Sequence, residues 1–139
     1  MRNKSLDDLA QITDAQFRAE QSRLSDIVAE EAALRQDIAR LDAHHRDNQN
    51  LPETQLSRAR TIGADVLWQG WVGRTRKDLQ MRLARVLVRK ANMMDSLRQA
   101  YGKSIAAQTL QRDEHTARQR LLRDARSEAA QALEHLKRW

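Results

Sequence analysis

Residues 66–139 hold no proline and, past Gly73, a single glycine, Gly102. Proline and glycine are the residues that most often end helices. The remainder of the stretch is rich in Arg, Lys, Leu, Ala, Gln and Met, all good helix formers. This predicts one long helix, roughly 110 Å at about 1.5 Å per residue if unbroken. A helix of that length cannot fold back into a globule. It has to lie along another helix or reach into a partner.

Composition agrees. Aromatics make up 4% of the 139 residues and charged residues 32%, the profile of a long helix or coiled coil rather than a globular core. Cysteine is absent, which excludes disulfides and thiolate metal sites. The longest apolar runs are short, as in Val86-Leu87-Val88, where a membrane span needs about 20 residues. The basic start Met1-Arg2-Asn3-Lys4 is followed by no apolar segment, so no secretory signal is expected and a cytoplasmic location is.

Ser5 and Thr13 are both candidate caps for a first helix, with Asp8 and Gln16 three residues on. A heptad then runs from Phe17. Phe17, Leu24, Glu31, Ile38 and His45 occupy a; Glu20, Ile27, Leu34, Leu41 and Asn48 occupy d. Pro52 and Gly63 mark a connector, with a short helical turn over 54–60 and Asp65 as the cap of the second helix. That helix should begin loosely at Gly70 and Gly73. Its d positions are Val72, Leu79, Val86, Met93, Ala100 and Ala107; its a positions are Arg76, Leu83, Lys90, Leu97 and Ser104. Past Leu97 the apolar phase slips toward Tyr101 and Ile105, which predicts a stutter there. The expected fold is all-α, a long antiparallel two-helix coiled-coil hairpin whose second helix is the longer. It forms a single domain over 1–139: helix 1 about 5–48, connector about 49–65, helix 2 about 66–139. The lengths leave helix 2 without an internal partner beyond about residue 110, yet Ala117, Leu121, Ala125, Ala132 and Leu136 stay near one face.

Charge divides with the helices. Residues 1–53 carry a net −4 and residues 54–139 a net +10. An acidic helix along a basic one is favoured through flanking positions. The basic run 74–90 has three readings: a face balanced by helix 1, a contact for an acidic protein, or a nucleic-acid contact. No phosphate-binding glycine loop, nucleophile elbow or HExxH motif occurs. The neighbouring His44 and His45 point about 100° apart on a helix and make no two-ligand face. The chain is expected to be no enzyme and to need no cofactor, metal or small-molecule substrate. Trp68 and Trp71 serve either as seam residues or as binding anchors, since tryptophan is enriched in hot spots.

Three features resemble the FliJ/YscO family, the small stalk proteins of flagellar and injectisome type III export. They are the order helix, connector, longer helix; the segment Trp68-Gln69-Gly70-Trp71-Val72 followed by Leu79; and Lys103-Ser104-Ile105-Ala106-Ala107-Gln108-Thr109-Leu110-Gln111-Arg112. At the end of helix 1, where some members carry aromatics, this chain has Leu41 and His45. The resemblance implies a stalk that inserts into a hexameric export ATPase ring and couples it to the cytoplasmic domain of the export gate at the inner membrane, with export chaperones as further partners. The partner-binding residues expected are Trp68, Trp71, Arg74, Arg76, Lys77, Arg118, Leu121 and Arg123. Two other readings compete: a coiled-coil scaffold or oligomerisation module without an ATPase, and a basic nucleic-acid-binding coiled coil.

Overall fold

The computed structural model describes the backbone of residues 2–49 and 58–139 and the side chains of 4–49 and 63–139. The chain is all-α. Helix α1 spans Arg2–Gln49 and helix α2, the longer, spans Arg58–Lys137; no strand occurs among the described residues. Helix α2 thus begins before the expected Asp65 cap, which lies inside it. Gly70 and Gly73 do not loosen it either, and no glycine takes a positive φ. Each costs about 1 kcal/mol relative to alanine, and the neighbouring burial of Val72 and partial burial of Trp68 offset that cost. The expected turn over 54–60 falls largely outside the described residues.

Two compact units form. The first joins residues 1–20 with 96–139, the second is 21–95. In the second, Asp42 pairs with Arg76, Glu31 with Lys90 and Glu30 with Arg89. From Asp42–Arg76 to Glu31–Lys90 the α1 partner moves back along its helix while the α2 partner moves forward, which defines an antiparallel pair. The seam is aliphatic: Ile27, Leu34 and Val86 form a buried cluster, with Leu79, Leu83 and Met93 against it. Val86, 1% exposed, is the most enclosed large side chain. Each such burial contributes roughly 1.5–3 kcal/mol.

The first unit is built differently. Its covered positions are small: Thr13 on α1, and Ala100, Ser104 and Ala107 on α2. Asp7 accepts a hydrogen bond from Gln111, and the Phe17 and Tyr101 rings lie 5.4 Å apart at 51°. Thr13 is no cap. Its hydroxyl donates back to the carbonyls of Leu9 at 2.8 Å and Ala10 at 3.1 Å, which satisfies a buried polar group inside an unbroken helix.

The α1 heptad is covered as expected from Phe17 to His45; Asn48 is exposed. On α2 the expected phase slip past Leu97 is absent. Ala100, Ser104 and Ala107 keep the seven-residue phase; Ile105 is exposed, and Tyr101 is about half exposed at the edge of the seam beside Phe17. The irregularity lies earlier. Covered residues run Val72, Thr75, Leu79, Leu83, spacings of three, four and four, and Arg76 is off the seam. That eleven-residue unit locally relaxes a left-handed supercoil.

One charged layer interrupts the aliphatic seam. Lys90 donates to Glu31 at 3.0 Å, and Arg35 reaches the other oxygen of the same carboxylate at 3.3 Å. The Glu31 side chain is only 12% exposed. The Lys90 hydrogen bond holds the Glu31 carboxyl below the usual glutamate range against the upward push of burial, and Arg35 adds to the lowering. A carboxyl with a lowered folded pKa stabilises fully above the usual glutamate range. That contribution is lost as pH falls through the lowered value. Thermal melts should therefore show wild type losing stability on acidification in that window, and Glu31→Gln losing less. At neutral pH, Glu31→Leu alone should melt lower than Glu31→Leu combined with Lys90→Leu, because the single change strands a covered ammonium. Val86→Ala should cost roughly 1–3 kcal/mol by chemical denaturation.

Candidate partner-binding surfaces

The expected site residues fall into two groups, one in each unit. Trp68 to Lys77 lie in unit 21–95. Trp68 is half-buried, whereas Trp71 is 46% exposed, and their rings stack at 5.1 Å and 26°. Trp68 lines an open cleft of about 380 Å³ with His44, Asp47 and Asn48. Its indole Nε1 is covered and meets no hydrogen-bond acceptor among the described residues. Leu67, four residues before Trp71 on the same face, is also exposed. The two tryptophans therefore differ in role: one supports the helix pair, the other is stacked on it and offers a face to solvent.

The basic run 74–90 resolves residue by residue. Arg76, Arg89 and Lys90 bind carboxylates of α1, namely Asp42, Glu30 and Glu31. Arg82 binds Asp78 one turn away at 3.1 Å. Arg74, Lys77 and Arg85 have no ion-pair partner among the described residues. Part of the run is thus a face balanced by helix 1, and part is uncompensated charge. Arg76, placed among the partner contacts by the sequence, is engaged inside its own unit.

Arg118, Leu121 and Arg123 lie in the other unit. Glu114 is the last partly covered residue of α2, and every side chain from His115 to Trp139 is exposed. Within that stretch Arg118 pairs with Glu114 at 3.6 Å, the exposed Leu121 meets only solvent, and Arg123 has no ion pair among the described residues. An apolar stripe runs through Leu122, Ala125, Ala129, Ala132, Leu136 and Trp139, with alternating spacings of three and four. It starts one helical position away from the covered face that ends at Gln111 and Glu114, since Glu114, Arg118 and Leu122 are separated by four and four. Of the expected Ala117, Leu121, Ala125, Ala132 and Leu136, the last three lie on this stripe and Ala117 and Leu121 do not; Leu122, Ala129 and Trp139 were missed. Following the three-four spacing backward from Trp139 would have found them.

No helix of the described residues is long and apolar enough to cross a membrane. The chain matches no protein-family model, no curated protein and no solved structure.

The tryptophan geometry gives a direct expectation. Trp68→Ala should lower stability by about 2 kcal/mol, the order expected for a partly buried tryptophan. Trp71→Ala should cost no more than about 1 kcal/mol, the value of a lost ring stack. Denaturant melts of the two variants check this. Equal losses would assign Trp71 to the helix pair as well.

Proposed function

We propose that this chain is a non-enzymatic central stalk of a bacterial type III protein export apparatus, flagellar or injectisome. In that reading it inserts into the hexameric export ATPase ring and couples the ring to the export gate. The protein would be cytoplasmic and peripheral to the inner membrane. One observation supports this most: the last 23 residues of α2, 115–137, carry an apolar stripe at regular helical spacing that nothing covers among the described residues. A lone helix of that length is marginal in water, so a partner accounts for the stripe better than self-sufficiency does. Arg118, Arg120, Arg123 and Arg126 stand beside it among Asp124 and Glu128. A small-residue stripe with mixed charge can touch several subunits of a ring lumen in turn without locking onto one. Trp71, with Arg74 and Lys77 near it, is the surface left for the gate.

A coiled-coil scaffold without an ATPase is the competing reading, and the same stripe favours it if 115–139 pairs with itself. Truncation separates the two. Deleting 117–139 should leave the helix pair folded, by circular dichroism and melting, and should abolish stimulation of the cognate export ATPase and its ring assembly. Reversing charge at Arg118, Arg120 and Arg123 should weaken stimulation in a salt-dependent way, because exposed charges are screened. A truncated chain that stimulates the ATPase fully removes residues 117–139 from the ring contact. A full-length chain that self-associates through 115–139 and leaves the ATPase unchanged supports the scaffold.

A further inference from the structure

Helix α2 has a second apolar face within unit 21–95. Met81, Ala84, Leu87, Val88, Ala91 and Met94 are all exposed, Val88 at 61% and Met81 at 50%. Met81, Ala84, Val88 and Ala91 are separated by three, four and three, and Leu87 and Met94 lie three residues past Ala84 and Ala91, which puts all six along one broad strip of the helix. Their exposure places that strip away from the covered Leu83, Val86, Lys90 and Met93. A solvated helix face ordinarily carries charged and amide side chains. Six apolar residues over 14 positions on the uncovered side depart from that pattern, and contiguous exposed apolar patches mark interaction sites.

The uncompensated charge beside this strip is basic. Arg74 and Lys77 continue its row before Met81, again at spacings of three and four. Arg85 stands between Met81 and Val88, four residues from one and three from the other. These are the three cations of the basic run without an ion-pair partner among the described residues. Two carboxylates flank the strip in sequence: Asp78, engaged by Arg82, and Asp95, one residue past Met94, which has a partner of its own.

We propose that the outer face of α2 over residues 81–94 docks an amphipathic helix of another protein, one whose apolar stripe is flanked by Asp and Glu. Apolar burial supplies the contact, and Arg74, Lys77 and Arg85 select the acidic flanks. A second copy of this chain is a poor occupant. Residues 74–90 carry seven basic side chains and one carboxylate, so a self-pair on this face sets a cationic rim against a cationic rim in either orientation. The acidic α1 of a second copy is no better, because its heptad aliphatics Leu24, Ile27, Leu34, Ile38 and Leu41 are covered in its own seam and its exposed Leu9, Ile12 and Val28 make no continuous stripe. The proposal rests on α2 alone and holds whether or not the chain is an export stalk.

The test uses the full chain and a labelled four-heptad peptide with Leu in its apolar stripe and Glu at the flanking positions. Its control carries the same stripe flanked by Lys. Fluorescence anisotropy should show the Glu peptide binding and the Lys peptide not. Met81→Ser with Val88→Ser should weaken binding about tenfold or more, the effect of removing two apolar anchors. Lys77→Glu with Arg85→Glu should weaken it and flatten its salt dependence. Leu122→Ser with Leu136→Ser should leave it unchanged. All six positions are exposed, so melting curves should overlay wild type. Equal binding of the two peptides would overturn the proposal, as would unchanged binding by the Met81/Val88 variant. A wild-type dimer in sedimentation analysis that the Met81/Val88 variant dissociates would give the face to a second copy instead.

Discussion

The pairing of Glu31 with Lys90 is a contact within the aliphatic seam that accepts a single alignment. Aliphatic layers are permissive: Leu34 packs nearly as well against one neighbouring Leu or Val as against the next. A carboxylate and an ammonium are not. Sliding the helices by one heptad sets Glu31 against Leu83 and Lys90 against Leu24, leaving two desolvated charges unmatched. A polar layer of this kind specifies register at some cost in stability. Here Arg35 shares the carboxylate, so Glu31 meets two donors and the cost of covering it is reduced. Arg89 with Glu30 and Arg76 with Asp42 then fall into place as exposed pairs, worth little each and consistent with the same alignment.

That register also explains why the basic run is not uniformly available. Cations that meet α1 are consumed by its carboxylates, and those on the outer side keep their charge. A linear count of Arg and Lys along 74–90 shows one block. The helix divides it into an inner set that aligns the pair and an outer set beside an apolar strip. The division follows from a period of about 3.6 residues imposed on a sequence in which basic residues occur at nearly every turn.

Much of the fold was legible because the heptad on α1 is written in large aliphatics. Leu24, Ile27, Leu34, Ile38 and Leu41 announce their face without ambiguity. On α2 past Leu97 the seam is written in Ala100, Ser104 and Ala107, while more hydrophobic Tyr101 and Ile105 stand beside it. Ranking by hydrophobicity picks the wrong pair there, since position in the repeat decides coverage and small residues suit a close seam. The helix start was misjudged for a related reason. Gly70 and Gly73 were weighed by intrinsic propensity, and packing of the neighbouring Trp68 and Val72 overrode it. Glu31 and Lys90 were both visible at a positions but were read as gaps in the apolar pattern. Opposite charges in two otherwise apolar repeats are a pairing signal, and taken that way they would have fixed the register from sequence.

The uncovered surfaces of α2 differ in a way that bears on their use. The stripe over 122–139 is mostly alanine between widely spaced Leu122, Leu136 and Trp139, with charges of both signs around it. It offers little area per turn and no strong preference for one partner sign. The strip over 81–94 is built from Met, Leu and Val with a rim of uncompensated cations. Its area per turn is larger and its charge demands an acidic complement, the properties of a contact that chooses one neighbour and holds it. Methionine at both ends adds tolerance for the exact shape of the occupant, because its unbranched thioether adapts where a branched side chain cannot. A helix that keeps one face for its own hairpin can therefore carry two further contacts of different character, and the sequence distinguishes them by side-chain size and charge balance rather than by hydrophobicity alone.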